Sequence, residues 1–172
     1  FEATSILRQP ALHIHRSAAL LSSSLTTNSA AMFHDLVEKQ REYFASGATH
    51  SIKGRKDRLR ALRKLITEHE EDLCAAVERD LRRNPKTTTA LEILNTVVEI
   101  DYMIDNLDDW SKPVYVQKTL LTFLDTPMIV KDPKGVCLVI APWNYPICMI
   151  TLPLIPALAA GNTVIVKPSE IA

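Results

Sequence analysis

Polar chemistry in the last quarter of this chain gathers at two points along one uncharged stretch. No residue from Gly135 to Val166 carries a charge. The first polar group interrupts that stretch as Pro142-Trp143-Asn144-Tyr145-Pro146, where Asn144 offers both donor and acceptor atoms. The second ends it as Lys167-Pro168-Ser169-Glu170, with an ammonium and a carboxylate on one short segment. By residue type alone, each group has an ordinary use. An asparagine amide can satisfy turn backbone, and a strand-end ion pair at a surface is worth little. The cysteines are Cys74, Cys137 and Cys148. They form no C-x-x-C and cannot make a full disulfide framework, so free thiols in a reducing compartment are the simplest reading. The glycines Gly47, Gly54, Gly135 and Gly161 spell neither a P-loop nor G-x-G-x-x-G. His13 and His15 form an H-x-H pair with no acidic or cysteine ligand nearby, so no metal site is expected.

The elements that must position these groups are set by the same stretch. Roughly thirty uncharged residues are long enough to span a bilayer. Pro142, Pro146, Pro153 and Pro156, with Asn144, Asn162 and the Gly161-Asn162 turn signal, argue against a membrane helix, which would lose backbone hydrogen bonds in lipid. The pattern instead predicts a short, fully buried strand over Val136–Ile140, a rigid loop over 142–146 and a buried helix over 147–160. Pro153 and Pro156 are expected near its first turn or at a kink. Gly161-Asn162 caps the helix, and a second buried strand covers 163–166. In such a β-α-β unit the strands run parallel with a right-handed crossover. Ligands bind outside the carboxyl ends of its strands, and both polar groups lie at that edge.

The upstream chain reads as helical from Met32 to Pro113. Phe33, Leu36, Val37 and Phe44 start the pattern. Leu59, Leu62, Leu65 and Ile66 make one apolar stripe; Leu73, Ala76, Val77 and Leu81 make another. Thr67 and Glu70 stand in capping-box order, placing a helix junction near Thr67. Asn84-Pro85 ends this pair. A third stripe runs through Leu91, Leu94, Val98, Ile104, Leu107 and Trp110. Its acids, Glu92 and Glu99 among them, read as a solvated face, as do the basic residues from Lys53 to Lys64. Val114-Tyr115-Val116 and Met128-Ile129-Val130 are strand formers, and Asp132-Pro133-Lys134-Gly135 has type I turn order. With 47% hydrophobic residues the 172-residue chain is not disordered. Its net charge of zero gives no bulk pull on nucleic acid. Residues 1–31, starting at Phe1, have a weak transit-peptide composition and read as a disordered leader or upstream extension.

The segment PKGVCLVIAPWNYPICMITLPLIPALAAGNTVIVKPSE closely resembles the NAD(P)-dependent aldehyde dehydrogenase superfamily. The P-W-N-[FY]-P loop, the A-L-A-A-G-N turn and the K-P-S-E strand end occur there in this order. YFASGATHSIKGRKDRLRALRKLI is similar to the opening helices of the class 3 branch, which includes fatty aldehyde dehydrogenases. The resemblance implies oxidation of an aldehyde to an acid with NAD or NADP, through attack by a cysteine thiolate and release of the acid by glutamate-activated water. It implies that Asn144 donates its amide to the oxyanion, because a prepositioned donor stabilises the charge that develops there. It further implies that Lys167 and Glu170 hold the adenosine ribose, with Ser169 nearby, that Pro142 and Trp143 shape the cofactor path, and that Ile140 contributes main chain.

The expected fold is α/β: N-terminal helices over 32–113, bridging oligomerisation strands over 114–134, and the first β-α-β of a Rossmann-like cofactor domain over 135–172. The family's nucleophilic cysteine and base glutamate match nothing here, so the chain is expected to be an N-terminal fragment, inactive alone. The expected partners are a small aldehyde, long-chain aliphatic in the fatty aldehyde branch, and a second copy when full length. Nucleic acid is excluded. Expected locations are the cytoplasm or the endoplasmic-reticulum membrane, the latter only through a C-terminal segment outside this chain, with mitochondria only if residues 1–31 are a transit peptide. The alternative is a non-catalytic fragment that assembles through the hairpin strands.

Overall fold

The computed structural model describes residues 22–171. The His13/His15 pair and most of the expected leader lie outside the described residues. Helix α1 spans Ser22–Ala45. From Leu36 onward the chain forms one packed unit. The turn over 46–51 leads to α2, Ile52–Glu68, whose first turn is capped by Ser51 accepting from Gly54 N. Helix α3, Glu70–Leu81, comes directly after it. The expected capping box at Thr67 does not form. Thr67 is still inside α2, and its hydroxyl bonds back to the carbonyls of Arg63 and Lys64.

Arg82 ends α3 in the left-handed region, at φ 55°. Asn84 then does more than stop a helix. Its side chain caps α4, Pro85–Thr88, with Pro85 in the first turn, where a missing N–H costs nothing. A π-helical turn over Thr89–Ile93 joins α4 to α5, Leu94–Trp110. That turn holds one residue more than an α turn and rotates the faces on either side of it. The apolar stripe read from 3.6-residue spacing therefore fails here. Leu94 and Val98 are exposed, while Ile93, Thr96 and Ile100 are buried; further along, Leu107 is buried as the stripe predicts. Glu92, read as solvated, is wholly buried. Arg55 also leaves the expected solvated face: it is buried and its Nε donates to Thr49 O at 3.0 Å.

Leu59, Ile100, Leu107, Ile155 and Ala159 form one core between α2, α5 and α6, Cys148–Ala159. A second joins Ile66, Cys74, Val77, Ile93 and Ile147. Among the described residues no helix is long and apolar enough to cross a membrane. Strands β1, Val114–Tyr115, and β2, Met128–Ile129, pair antiparallel. The expected type I turn at 132–135 does not form: the chain there is irregular and bends at Gly135. Gly135 takes φ +113°, and its N–H donates to Asn162 Oδ1 at 3.0 Å.

Strand β3, Val136–Ile140, and β4, Thr163–Lys167, are parallel, with Val136 opposite Thr163 and Ile140 opposite Lys167. Helix α6 connects them, so the β-α-β reading holds. The expectation that β3 is fully buried does not: Leu138 and Ile140 point outward and are exposed, whereas Val139 is buried. Alternate side chains face opposite sides of a strand, and among the described residues only one side of this sheet is covered. Pro153 and Pro156 sit inside α6 rather than in its first turn. Both are exposed, and each removes one N–H from the helix ladder.

Candidate active site and its supporting shell

The two predicted polar groups meet at one edge of the β3–β4 sheet. Register brings them there: beyond the Ile140–Lys167 pair, Ala141 N donates to Lys167 O at 3.1 Å. The loop over 142–146 therefore leaves β3 beside the tip of β4. Pro142, Trp143 and Asn144 are exposed on it. The Asn144 side-chain amide makes no hydrogen bond among the described residues, while its backbone oxygen accepts from Arg83 Nη2 at 2.5 Å. On the neighbouring tip, Lys167 Nζ donates to Glu170 Oε1 at 2.5 Å and to Pro168 O at 3.3 Å. The lysine holds the Glu170 carboxyl below the usual carboxylate range. Ser169 Oγ accepts from Ile171 N at 3.1 Å. The exposed Ile140 side chain closes the strand edge.

Behind the loop lies a group that sequence reading missed. Glu92 Oε2 accepts from Ile147 N at 2.8 Å and from Cys148 N at 3.0 Å. These N–H groups open α6, where no residue of the helix itself can pair with them. Glu92 thus caps α6 from another helix, and its negative charge suits that helix end. Arg83 Nη1 donates to the other oxygen, Glu92 Oε1. The same guanidinium bonds Asn144 O and lies 4.5 Å from the centre of the Tyr145 ring. One arginine therefore ties the buried carboxylate to the loop at two successive residues. A helix N-terminus after a strand is the place where many dinucleotide folds put phosphate. Here the protein's own carboxylate fills it, which fits the missing glycine fingerprint.

Cys74 and Cys148 are buried, and Cys137 is half-buried. Burial pushes the Cys148 thiol up; a hydrogen bond with Thr96 opposes it in part, and the nearby Glu92 charge adds a smaller upward push. Cys148 Sγ lies 3.4 Å from the carbonyl oxygens of both Leu91 and Glu92. Cys74 is buried against Thr89, Sγ to Oγ1 3.5 Å. A separate concavity, lined by Arg55, Trp110, Pro156 and Ala160, sits at the far end of α6. Twelve helical residues separate that end from the loop, about 18 Å of helix.

Two parallel strands with a connecting helix, and an asparagine loop beside a Lys/Glu tip, define part of a Rossmann-like fold. Comparison with known proteins makes this specific. The profile of the aldehyde dehydrogenase family matches residues 15–172. Aldehyde dehydrogenase family 3 member A2 of Macaca fascicularis is 42% identical over 135 residues, 78% of this chain and 28% of that protein. The dimeric NADP-preferring aldehyde dehydrogenase of Canis lupus familiaris is 40% identical, over 80% of this chain and 30% of that protein. Among solved structures, a substrate-bound Staphylococcus aureus AldH superposes with a TM-score of 0.77 at 37% identity, covering 80% of this chain and 30% of that one. The chain belongs to the aldehyde dehydrogenase family. It spans less than a third of the length of the curated relatives it matches.

Proposed function

We propose that this chain supplies the oxyanion loop and the first cofactor-binding strand tips of an enzyme that oxidises aldehydes to carboxylic acids with NAD or NADP. What carries the reading is the parallel register of Ile140 with Lys167, which sets the Asn144 loop beside the Lys167–Glu170 tip. Asn144 donates its free amide to the oxygen of the aldehyde as negative charge develops there. An uncharged donor held in place before reaction stabilises that charge without reorganising. A cysteine thiolate attacks the carbonyl to give a thiohemiacetal, this loses hydride to the dinucleotide and becomes a thioester, and a glutamate activates the water that hydrolyses the thioester to the acid. None of Cys74, Cys137 and Cys148 is assigned that role.

The residues at the strand tips suit a ribose. Lys167 offers donors and Glu170 acceptors to vicinal hydroxyls, and both are reachable from solvent. When bound, the dinucleotide supplies a hydride acceptor. Ser169 flanks this pair, Ile140 contributes main chain, and Pro142 and Trp143 line the approach. The canine relative is named for NADP, whereas a Staphylococcus aureus betaine aldehyde dehydrogenase structure holds NAD+. Long-chain aliphatic aldehydes are the substrate class of the fatty aldehyde branch. Strands β1 and β2, exposed along both pairs, are the dimerisation element. The division at 32–113, 114–134 and 135–172 reflects these roles.

The test is Asn144→Ala in the enzyme made from the complete reading frame. Loss of about 10²–10³ in kcat is expected, with cofactor affinity retained. An unchanged kcat overturns the oxyanion role. The 172-residue chain by itself is expected to give no aldehyde-dependent NADH signal.

A further inference from the structure

We propose that Arg83 and Glu92 are positioning residues for the Asn144 donor, locking its loop from behind so that the amide stays at the strand edge. The inference rests on the oxyanion reading of Asn144 and adds what holds that residue in place. Asn144 itself is exposed, and its side chain makes no hydrogen bond among the described residues. Its orientation must come from its backbone and neighbours. Three anchors act on them, and all pass through one ion pair. Arg83 Nη2 holds the Asn144 carbonyl at 2.5 Å, the guanidinium packs on Tyr145 at 4.5 Å, and Glu92 Oε2 holds the Ile147 and Cys148 N–H groups at 2.8 and 3.0 Å. The loop is gripped on both sides of its last residues. Glu92 is wholly buried and the Arg83 side chain is 19% exposed, so water competes weakly for these bonds. The planar fork of arginine reaches two acceptors at once, and the point charge of lysine does not.

Arg83→Lys is the informative variant, because it keeps a cation beside the buried carboxylate while giving up the fork. In the complete enzyme it is expected to lower kcat about ten- to a hundredfold, the scale of a small misplacement of a reacting group, and to change the aldehyde KM less. In an Asn144→Ala background the same substitution is expected to cause no further loss of kcat, since the group it positions is gone. Hydrogen–deuterium exchange over 143–148 is expected to quicken in Arg83→Lys, and in Glu92→Gln as well. An equal kcat loss in both backgrounds, or no loss in either, overturns the positioning role. Unchanged exchange over 143–148 in both variants overturns the anchoring itself. If exchange quickens but Asn144→Ala alone leaves kcat untouched, the oxyanion reading falls while the anchoring stands.

Discussion

At the scale of single residues, Glu92 is the most consequential side chain in the folded unit. A carboxylate with no solvent exposure is tolerated only when its charge is paired and its oxygens are hydrogen-bonded. Glu92 meets both conditions through Arg83 and the first two N–H groups of α6. Glu92→Ala would strand those two donors in a dry position and leave the guanidinium without its partner. Each orphaned buried group costs about 1–3 kcal/mol. A total loss of about 3 kcal/mol or more in unfolding free energy is expected, read by urea denaturation of the complete protein. Glu92→Gln keeps one acceptor and should lose less. Equal stability of all three proteins would show that the cap contributes nothing net. Sequence offered only a faint signal for this residue: Thr87, Thr88 and Thr89 in a row are poor α-helix formers, and the π turn begins at the last of them.

Among secondary elements, what was legible came from regular spacing and punctuation. Strands β3 and β4, helix α6 and their common edge could be read because Pro142, Pro146 and Gly161-Asn162 bracket apolar runs of the right lengths. The α5 stripe escapes such reading because a single extra residue in a turn shifts a helix face, and no periodic template contains that residue. The burial of Arg55 escapes it because a run of basic residues gives no sign of which one turns inward. Its partner supplies a test. Gly161 ends α6 with φ +93°, and a Cβ built there would lie 2.7 Å from Arg55 Nε and Cζ. Gly161→Ala therefore meets both backbone strain and a clash with a side chain fixed by Thr49 O. We expect the thermal midpoint to fall by several degrees, with about 1–2 kcal/mol from the left-handed backbone alone. Arg55→Ala in the same chain should return part of the clash but none of the strain, so the double variant should not be worse than the sum of the single ones.

On the scale of the whole packed unit, exposed apolar surface is the dominant feature. Leu138 at 61% and Ile140 at 66% stand on the open side of β3, and Val114, Tyr115, Met128 and Ile129 are all exposed on the β1–β2 pair. Two strands with one uncovered side and unpaired edges are templates for further pairing, and contiguous exposed apolar patches mark surfaces that bind or aggregate. The expectation of a buried β3 failed for the same reason: an uncharged strand sequence specifies that both sides want cover, not that the cover is present in these residues. The 172-residue chain is therefore expected to self-associate at micromolar concentration and to bind a hydrophobic dye, as read by light scattering and dye fluorescence. Leu138→Lys places a charge on that open side, away from Asn144, Lys167 and Glu170. It should reduce scattering without lowering the thermal midpoint, because the replaced side chain is already in water and its burial contributes little. A monomeric wild-type chain with a sharp cooperative transition would show instead that the two cores around Leu59 and Ile66 suffice to keep the open sheet side from driving association.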